Sequence, residues 1–135
     1  MVDESPKRAL RYNVDKSQLH FILAFSAALK AVADITTYGS RKYEMYNFLK
    51  GASSSESVSS LLRHLDAWWQ GEELDPESKL HHLAHLAWNA LRLCDEHLRG
   101  TSIDDRPVAL RKTVVPEEAE SVSEPDKPTN RGGRC

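Results

Sequence analysis

The 135-residue sequence has only two cysteines and a formal net charge of −2, and each of these shortages excludes a class of protein. Cys94 and Cys135 cannot form the disulfide framework of a small secreted domain, so we expect a reducing, cytoplasmic setting. The charge balance lacks the excess of basic residues typical of nucleic-acid-binding proteins. The apolar run over residues 21–32 is interrupted by Ser26 and Lys30 and is shorter than a bilayer-spanning helix. We therefore expect neither a nucleic acid nor a membrane as a partner.

Aromatic residues are absent from the last 35 residues, whereas the first 100 contain every aromatic and every histidine. A proline-rich segment without aromatics cannot bury enough apolar surface to offset the entropy lost on ordering it. The sequence thus predicts an N-terminal arm over residues 1–14, one domain over 15–100 and a flexible tail over 101–135. A domain of this size has room for a single hydrophobic core.

Apolar periodicity predicts an all-α domain, and glycines mark the expected helix ends. The first helix is expected over residues 17–38, behind a capping box of Asp15 and Gln18 and before Gly39. Its apolar residues cover most of its circumference, so we expect it to be buried on several sides.

Two further helices are predicted over residues 54–70 and 76–99. Ser53 and Glu56 form a capping box for the second helix, and Asp75 is the expected N-cap of the third. The predicted core stripe of the third helix is Leu80, Ala84, Ala87, Leu91, Cys94 and Leu98. No segment shows sustained strand alternation, and the sequence contains no internal repeat.

The opposite side of the third helix carries His82, His85 and Asn89 at positions i, i+3 and i+7. Leucines border this polar line, which favours a second contact surface over a plain solvated face. Imidazoles spaced i and i+3 can bind one metal ion, as in helical-bundle metal sites. The alternative is that these histidines only cover a wet surface.

An acidic turn over residues 71–78 precedes the third helix and contains Glu72 and Asp75. Carboxylates beside imidazoles suit a divalent cation such as Mg²⁺ or Mn²⁺. The alternative is that these acids only stabilise the helix N-terminus.

The segment over residues 39–51 combines cations, aromatics and an amide, including Lys42, Tyr43 and Asn47. These groups can contact the phosphates, the sugar and the base of a nucleotide, although a helix-connecting loop would have a similar composition. Within the second helix, Arg63 is either a surface ion-pair residue or a phosphate ligand. His64 is either a metal ligand or an orienting group.

Taken together and in order, these segments resemble a known family. The motifs are Gly39-Ser40-Arg41-Lys42-Tyr43 with Asn47-Phe48, Arg63-His64-Leu65-Asp66-Ala67-Trp68, Gly71-Glu72 with Asp75, Glu77-Ser78, His82-Leu83-Ala84-His85 and Asn89-Ala90-Leu91. Their order and spacing over about residues 17–100 are similar to those of the phage dATP/dGTP diphosphohydrolases, in particular the MazZ-like members. These belong with the MazG-like all-α nucleoside triphosphate pyrophosphohydrolases. The sequence departs from the family pattern at Phe48, Lys79 and His81, and it lacks the broader MazG-like carboxylate motif.

The resemblance implies hydrolysis of (d)GTP, and of dATP as a further candidate, to the monophosphate and pyrophosphate with Mg²⁺ or Mn²⁺. It also implies a helical bundle completed by a homodimer or homotetramer, in a phage protein that acts in the host cytoplasm and supplies dGMP for 2-aminoadenine nucleotides. For this chemistry, the candidate metal ligands are Glu72, Asp75, His82 and His85; the candidate catalytic groups are Lys42, Arg63 and His64; and the candidate nucleotide contacts are Lys42, Tyr43, Asn47, Arg63 and Asn89.

The alternative function is that of a small, non-catalytic helical interaction protein of a phage. An HD-type metal phosphohydrolase is disfavoured, because that class needs an adjacent His-Asp pair and Leu65 separates His64 from Asp66.

Overall fold

A computed structural model describes residues 9–114, and within this range the chain is helical and contains no strand. A 3-10 helix, Leu19–Phe25, leads directly into α1, Ser26–Lys42, and a short 3-10 turn, Asn47–Lys50, follows. The remaining helices are α2, Ser54–Trp69, α3, His82–Arg99, and α4, Pro107–Val114. Helix α3 packs against both α1 and α2. The predicted all-α fold is confirmed.

The first helical segment begins and ends differently from the prediction. Asp15 has a φ of +64°, which is incompatible with the extended backbone of an N-cap, and Gln18 makes no side-chain cap. The predicted capping box is therefore wrong, and the segment starts as a 3-10 helix at Leu19. Gly39 lies inside α1, because a single glycine costs a helix only about 1 kcal/mol and does not by itself end it.

The predicted burial of this segment is also wrong, since Ile35 is its only buried residue. By length and composition, Leu19–Lys42 could cross a membrane, and it is longer than the apolar run 21–32 from which the sequence predicts no membrane partner. The helix is longer than that run because it continues past the exposed Lys30–Asp34 ion pair. The core helices of soluble proteins meet the same criteria, but this segment has an apolar surface that nothing else within residues 9–114 covers. That surface includes Leu19, Phe21, Ile22, Leu23 and Phe25.

Helix α2 begins where the capping signal predicts. The Ser53 hydroxyl oxygen accepts a hydrogen bond from the Glu56 backbone N–H at 3.3 Å. The chain beyond residue 100 returns to this helix end, where the Ile103 carbonyl accepts from the Ser54 N–H and the Asp105 carboxylate accepts from the Ser55 N–H. Residues 103–105 and α4 therefore have defined structure, although the sequence places them in the flexible tail. Residues 115–135 of that tail lie outside the described range.

Helix α3 starts six residues later than predicted, at His82 rather than Pro76. The preceding loop pairs with itself, with an isolated bridge between Leu74 and His81 and a hydrogen bond from the Asp75 N–H to the Leu80 carbonyl at 2.8 Å. The prediction that Asp75 caps the helix is therefore wrong. Its carboxylate instead accepts a hydrogen bond from the Ser78 backbone N–H inside the loop. His81 is the N-cap instead, and its side chain accepts from the Leu83 N–H.

The face of α3 that lies inside the chain is the polar one, contrary to the predicted core stripe. The buried residues of α3 are His82, Ala84, Asn89 and Glu96. Of the predicted stripe, Ala84 is buried as expected, whereas Leu91 and Leu98 are 57% and 83% exposed. The polar line bordered by leucines thus faces α1 and α2, and it forms the inner wall of the site described next.

Candidate active site

Three histidines from α2 and α3 form a cluster at one end of the chain's polar interior. The Nδ1 atoms of His64 and His82 lie 2.8 Å apart, and the rings of His64 and His85 stack with centroids 4.4 Å apart. At that Nδ1 distance, one imidazole donates and the other accepts, so the two rings hold different tautomers. One turn of α2 and the first turn of α3 therefore present their imidazoles to the same small volume.

Two carboxylates from the acidic turn complete this cluster and take different places in it. Glu72 Oε1 lies 2.8 Å from Nε2 of His82, the nitrogen that faces away from His64. Ligand atoms of His64, Asp75 and His82 all lie within 4.8 Å of one another. Imidazole nitrogen and carboxylate oxygen are donors that divalent transition metals accept, so these three residues fit a metal ion. Glu72 fits the role of orienting a metal-binding histidine through its second nitrogen.

His85 lies at the edge of the cluster and bonds to the loop. Its Nε2 is 2.7 Å from the Ser78 hydroxyl. The backbone N–H of Ser78 also donates to Asp75 Oδ2 at 2.8 Å. The structure thus brings together all four predicted metal ligands and adds His64. Within this set, Asp75 and His82 belong to the three-residue group, whereas Glu72 and His85 contact its members from outside.

Burial favours the neutral form of two of these imidazoles. It lowers the pKa of His64, which His85 and His82 lower further, and it lowers the pKa of His85 despite the opposing charges of Asp75 and Glu77. For Asp75, burial alone would raise the pKa, but the hydrogen bonds from Ser78 and the nearby imidazoles outweigh it, so that the pKa lies below its usual value. These directions favour uncharged imidazoles at His64 and His85 and an ionised carboxylate at Asp75, the protonation states that metal binding requires.

A cavity of about 460 Å³ opens beside the cluster and has the dimensions of a small-ligand site. All five predicted nucleotide-contacting residues line it: Lys42, Tyr43, Asn47, Arg63 and Asn89. The Lys42 ammonium forms an ion pair with Glu77, which also accepts from the Tyr38 hydroxyl at 3.2 Å. This bond to Glu77 raises the pKa of Lys42 and lowers that of Glu77. The cavity thus joins cationic, amide and aromatic groups to the histidine cluster.

The aromatic wall of the cavity was not predicted from the sequence. Phe48 and Trp88 meet edge to face with ring centroids 6.1 Å apart, and the Trp88 indole N–H donates to Thr36 Oγ1 at 2.9 Å. The Arg92 guanidinium lies over the Trp88 ring at 5.3 Å. Asn89, Arg92 and the buried Glu96 continue the line of His85 at i+4, i+7 and i+11, a spacing that the sequence itself contains.

Comparison with known proteins identifies a family for this chain. The family model described as "dATP/dGTP diphosphohydrolase, N-terminal" matches residues 6–106, which include the histidine cluster, the cavity and α1 to α3. No curated protein matches the chain, and no solved structure matches it.

Proposed function

Because the chain belongs to the dATP/dGTP diphosphohydrolase family, we propose that it hydrolyses dGTP and GTP, with dATP as a further substrate, to the monophosphate and pyrophosphate. The observation that carries this proposal is the position of the His64, Asp75 and His82 group at the wall of a cation-lined cavity. A metal ion held by that group would lie beside the cationic side chains proposed to bind phosphate.

The proposed cofactor is Mn²⁺ or Mg²⁺, held by His64, Asp75 and His82. Two imidazoles and one carboxylate suit Mn²⁺ better than Mg²⁺, because Mg²⁺ favours oxygen ligands. When bound, such an ion stabilises charge on the phosphoryl oxygens and lowers the pKa of a water molecule. Glu72 holds the outer nitrogen of His82 and thereby fixes the direction of its other nitrogen.

The remaining cavity residues position the substrate. Lys42 and Arg63 contact the phosphates, and Lys42 does so by exchanging its exposed Glu77 partner for a phosphoryl oxygen. Tyr43 and Asn47 lie on the cavity wall as contacts for the sugar and the base. Asn89 donates its amide N–H to the His85 carbonyl at 2.8 Å, which leaves the amide oxygen as an acceptor for substrate.

In the proposed reaction, the oxygen of a water molecule forms a bond to the α-phosphorus. The bond from that phosphorus to the bridging oxygen breaks, and pyrophosphate leaves with the electron pair. The attacking water loses a proton to solvent or to a neutral imidazole of the cluster, and the products are the nucleoside monophosphate and pyrophosphate. Catalysis is chiefly electrostatic, since cations stabilise the charge that develops on the phosphoryl oxygens.

The cellular role follows from the same proposal. A phage enzyme of this activity in the host cytoplasm would lower the dGTP pool and supply dGMP for 2-aminoadenine nucleotides. We also propose that the active form is a homodimer or homotetramer, because the exposed apolar residues of Leu19–Phe25 need a partner surface. The same apolar surface favours the second candidate function, a non-catalytic helical interaction protein.

A product assay tests the proposal. The purified full chain is incubated with each dNTP and with GTP, in Mn²⁺ or Mg²⁺, and the products are separated by anion exchange. We expect dGMP and pyrophosphate from dGTP, and no turnover after chelation. Asp75→Asn should reduce turnover at least about 100-fold, because it removes a charged ligand. Asp34→Asn on the exposed face of α1 is the matched control and should leave turnover unchanged.

If none of the nucleotides yields a monophosphate and pyrophosphate, the proposed enzymatic activity is wrong. If the chain is instead a non-catalytic interaction protein, neither Mn²⁺ nor a nucleotide should alter its thermal unfolding. On the proposed function, both ligands raise the melting temperature by mass action.

A further inference from the structure

A second cavity, of about 470 Å³, adjoins the first on the side away from the histidine cluster. The two cavities share four lining residues, Thr36, Phe48, Trp88 and Arg92. Glu96 lines the second cavity but not the first. The proposed function places phosphates near the cluster, so the base of a bound nucleotide would extend towards these shared side chains.

Arg92 and Glu96 form an ion pair at this boundary, with an N–O distance of 3.0 Å. Their side chains are only 13% and 6% exposed. A second guanidinium nitrogen of Arg92 donates to the Ser57 hydroxyl at 2.8 Å. The pair is therefore fixed between α2 and α3 rather than free to move in solvent.

Each member of this ion pair keeps one buried polar atom without a hydrogen-bond partner in the described part of the chain. These atoms are Nε of Arg92, which is a donor, and Oε2 of Glu96, which is an acceptor. Buried polar groups nearly always find partners, because leaving one unpaired carries its full desolvation penalty. An adjoining ligand with an acceptor beside a donor would satisfy both atoms.

We propose that Arg92 and Glu96 recognise the 6-oxo, N1–H edge of a purine base and so select guanine over adenine. Guanine presents its O6 acceptor next to its N1–H donor, the pattern that pairs with the Arg92 N–H and the Glu96 oxygen. Adenine presents the reverse, an amino donor at position 6 next to an unprotonated N1. 2-Aminoadenine has the adenine pattern at these two positions. This inference rests on the proposed function and adds its base specificity.

The geometry of α3 suits this assignment. His85 and Glu96 are eleven residues apart, which is about 16 Å along a helix axis, a distance comparable with the length of an extended purine nucleoside triphosphate. Trp88 and Phe48 lie between them and offer aromatic surface to a base.

Binding of monophosphates to the wild-type chain tests the proposal without hydrolysis. By isothermal titration, dGMP and dIMP should bind with similar affinity, because the proposed contacts ignore the 2-amino group. The monophosphates of adenine, 2-aminoadenine and O6-methylguanine should each bind at least about 10-fold more weakly, since one matched base-edge pair is worth about 1–3 kcal/mol. 7-Deaza-dGMP is the matched control and should bind like dGMP. If dIMP binds as weakly as dAMP, or O6-methyl-dGMP binds as well as dGMP, the proposal is wrong.

Two variants test the residues themselves. Glu96→Gln replaces the acceptor with an amide that also donates, and Arg92→Lys keeps a positive charge but removes the Nε donor. Each should lower the ratio of dGMP to dAMP affinity towards one, with an unchanged far-ultraviolet circular dichroism spectrum. Glu56→Gln, on the first turn of α2, is the control and should keep the wild-type ratio.

The two proposals fail separately. Selective dGMP binding without hydrolysis of any triphosphate would contradict the proposed function and support the base contact. Hydrolysis with an unchanged base preference in both folded variants would support the enzyme and leave Arg92 and Glu96 as a structural ion pair only, which overturns the inference.

Discussion

His64 shows how a single side chain changes its meaning between sequence and structure. The sequence leaves two roles open for His64, a metal ligand or an orienting group, because helix periodicity does not show which side chains face it. In the structure it lies 2.8 Å from His82 and stacks on His85, so it is the residue that joins α2 to the cluster on α3. Glu72, predicted as a ligand, instead contacts the outer nitrogen of His82.

At this scale we predict that His64→Ala weakens Mn²⁺ binding at least about 10-fold, since even residues that only orient metal ligands contribute that much. Isothermal titration of the metal-free full chain with Mn²⁺ alone measures the affinity. His20→Ala is the matched control, because His20 lies in the exposed 3-10 segment away from the cluster. Equal Mn²⁺ affinities for His64→Ala and wild type would remove His64 from the metal site.

At the scale of elements, helix ends set by neighbouring residues were predictable and those set by distant contacts were not. Ser53 caps α2, and Gly100, with a φ of +70°, ends α3, as the local signals predict. The predicted start of α3 was wrong because the loop before the helix forms a bridge between Leu74 and His81, and a capping motif does not reveal such a bridge. The predicted end of α1, before Gly39, was wrong because the residues on both sides of Gly39 are helical.

Gly51 and Gly39 make a matched pair of substitutions. Gly51 has a φ of +81°, and a Cβ there would lie 3.0 Å from the Thr101 carbonyl oxygen, so Gly51→Ala should lower the free energy of unfolding by about 1–3 kcal/mol. A Cβ on Gly39 meets nothing within 4 Å, so Gly39→Ala should be neutral or stabilise the helix by up to about 1 kcal/mol. Urea unfolding followed by circular dichroism measures both values. A Gly51→Ala variant as stable as wild type would contradict the strained turn.

At the scale of the whole molecule, the described chain is a bundle whose interior is largely polar and whose apolar side chains face outward. Its buried hydrophobic residues within 9–114 are Ile35 and Ala84, whereas Phe25, Trp69 and Leu98 are each more than 60% exposed. A monomer with so small an apolar core would be marginally stable. This imbalance is the reason to expect a second copy against the exposed faces.

We predict that size-exclusion chromatography with light scattering gives a mass of two or four times 15.2 kDa. Placing a charge on the apolar surface with Phe25→Glu should shift the chain towards monomer and lower its melting temperature, because a buried unpaired carboxylate opposes association. Leu10→Glu is the control, since Leu10 is fully exposed in the non-helical arm. A monomeric wild-type chain at micromolar concentration would contradict the oligomer.

The sequence alone determined the all-α class, the bounds of α2, the C-terminal end of α3 and the family. Among the residues that line the cavity, it pointed to five: Lys42, Tyr43, Asn47, Arg63 and Asn89. These features depend on local periodicity, caps and motif order, which the sequence contains directly.

Only the tertiary structure decided which face of α3 is the inner one. An amphipathic helix with a polar line and an apolar line fits two packings, and the contacts with α1 and α2 select the polar one. The same packing places His64 beside His82, and it leaves one donor atom of Arg92 and one acceptor atom of Glu96 without a partner among residues 9–114. Such juxtapositions join residues from different helices, and their distances follow from how the helices pack rather than from spacing along any one of them.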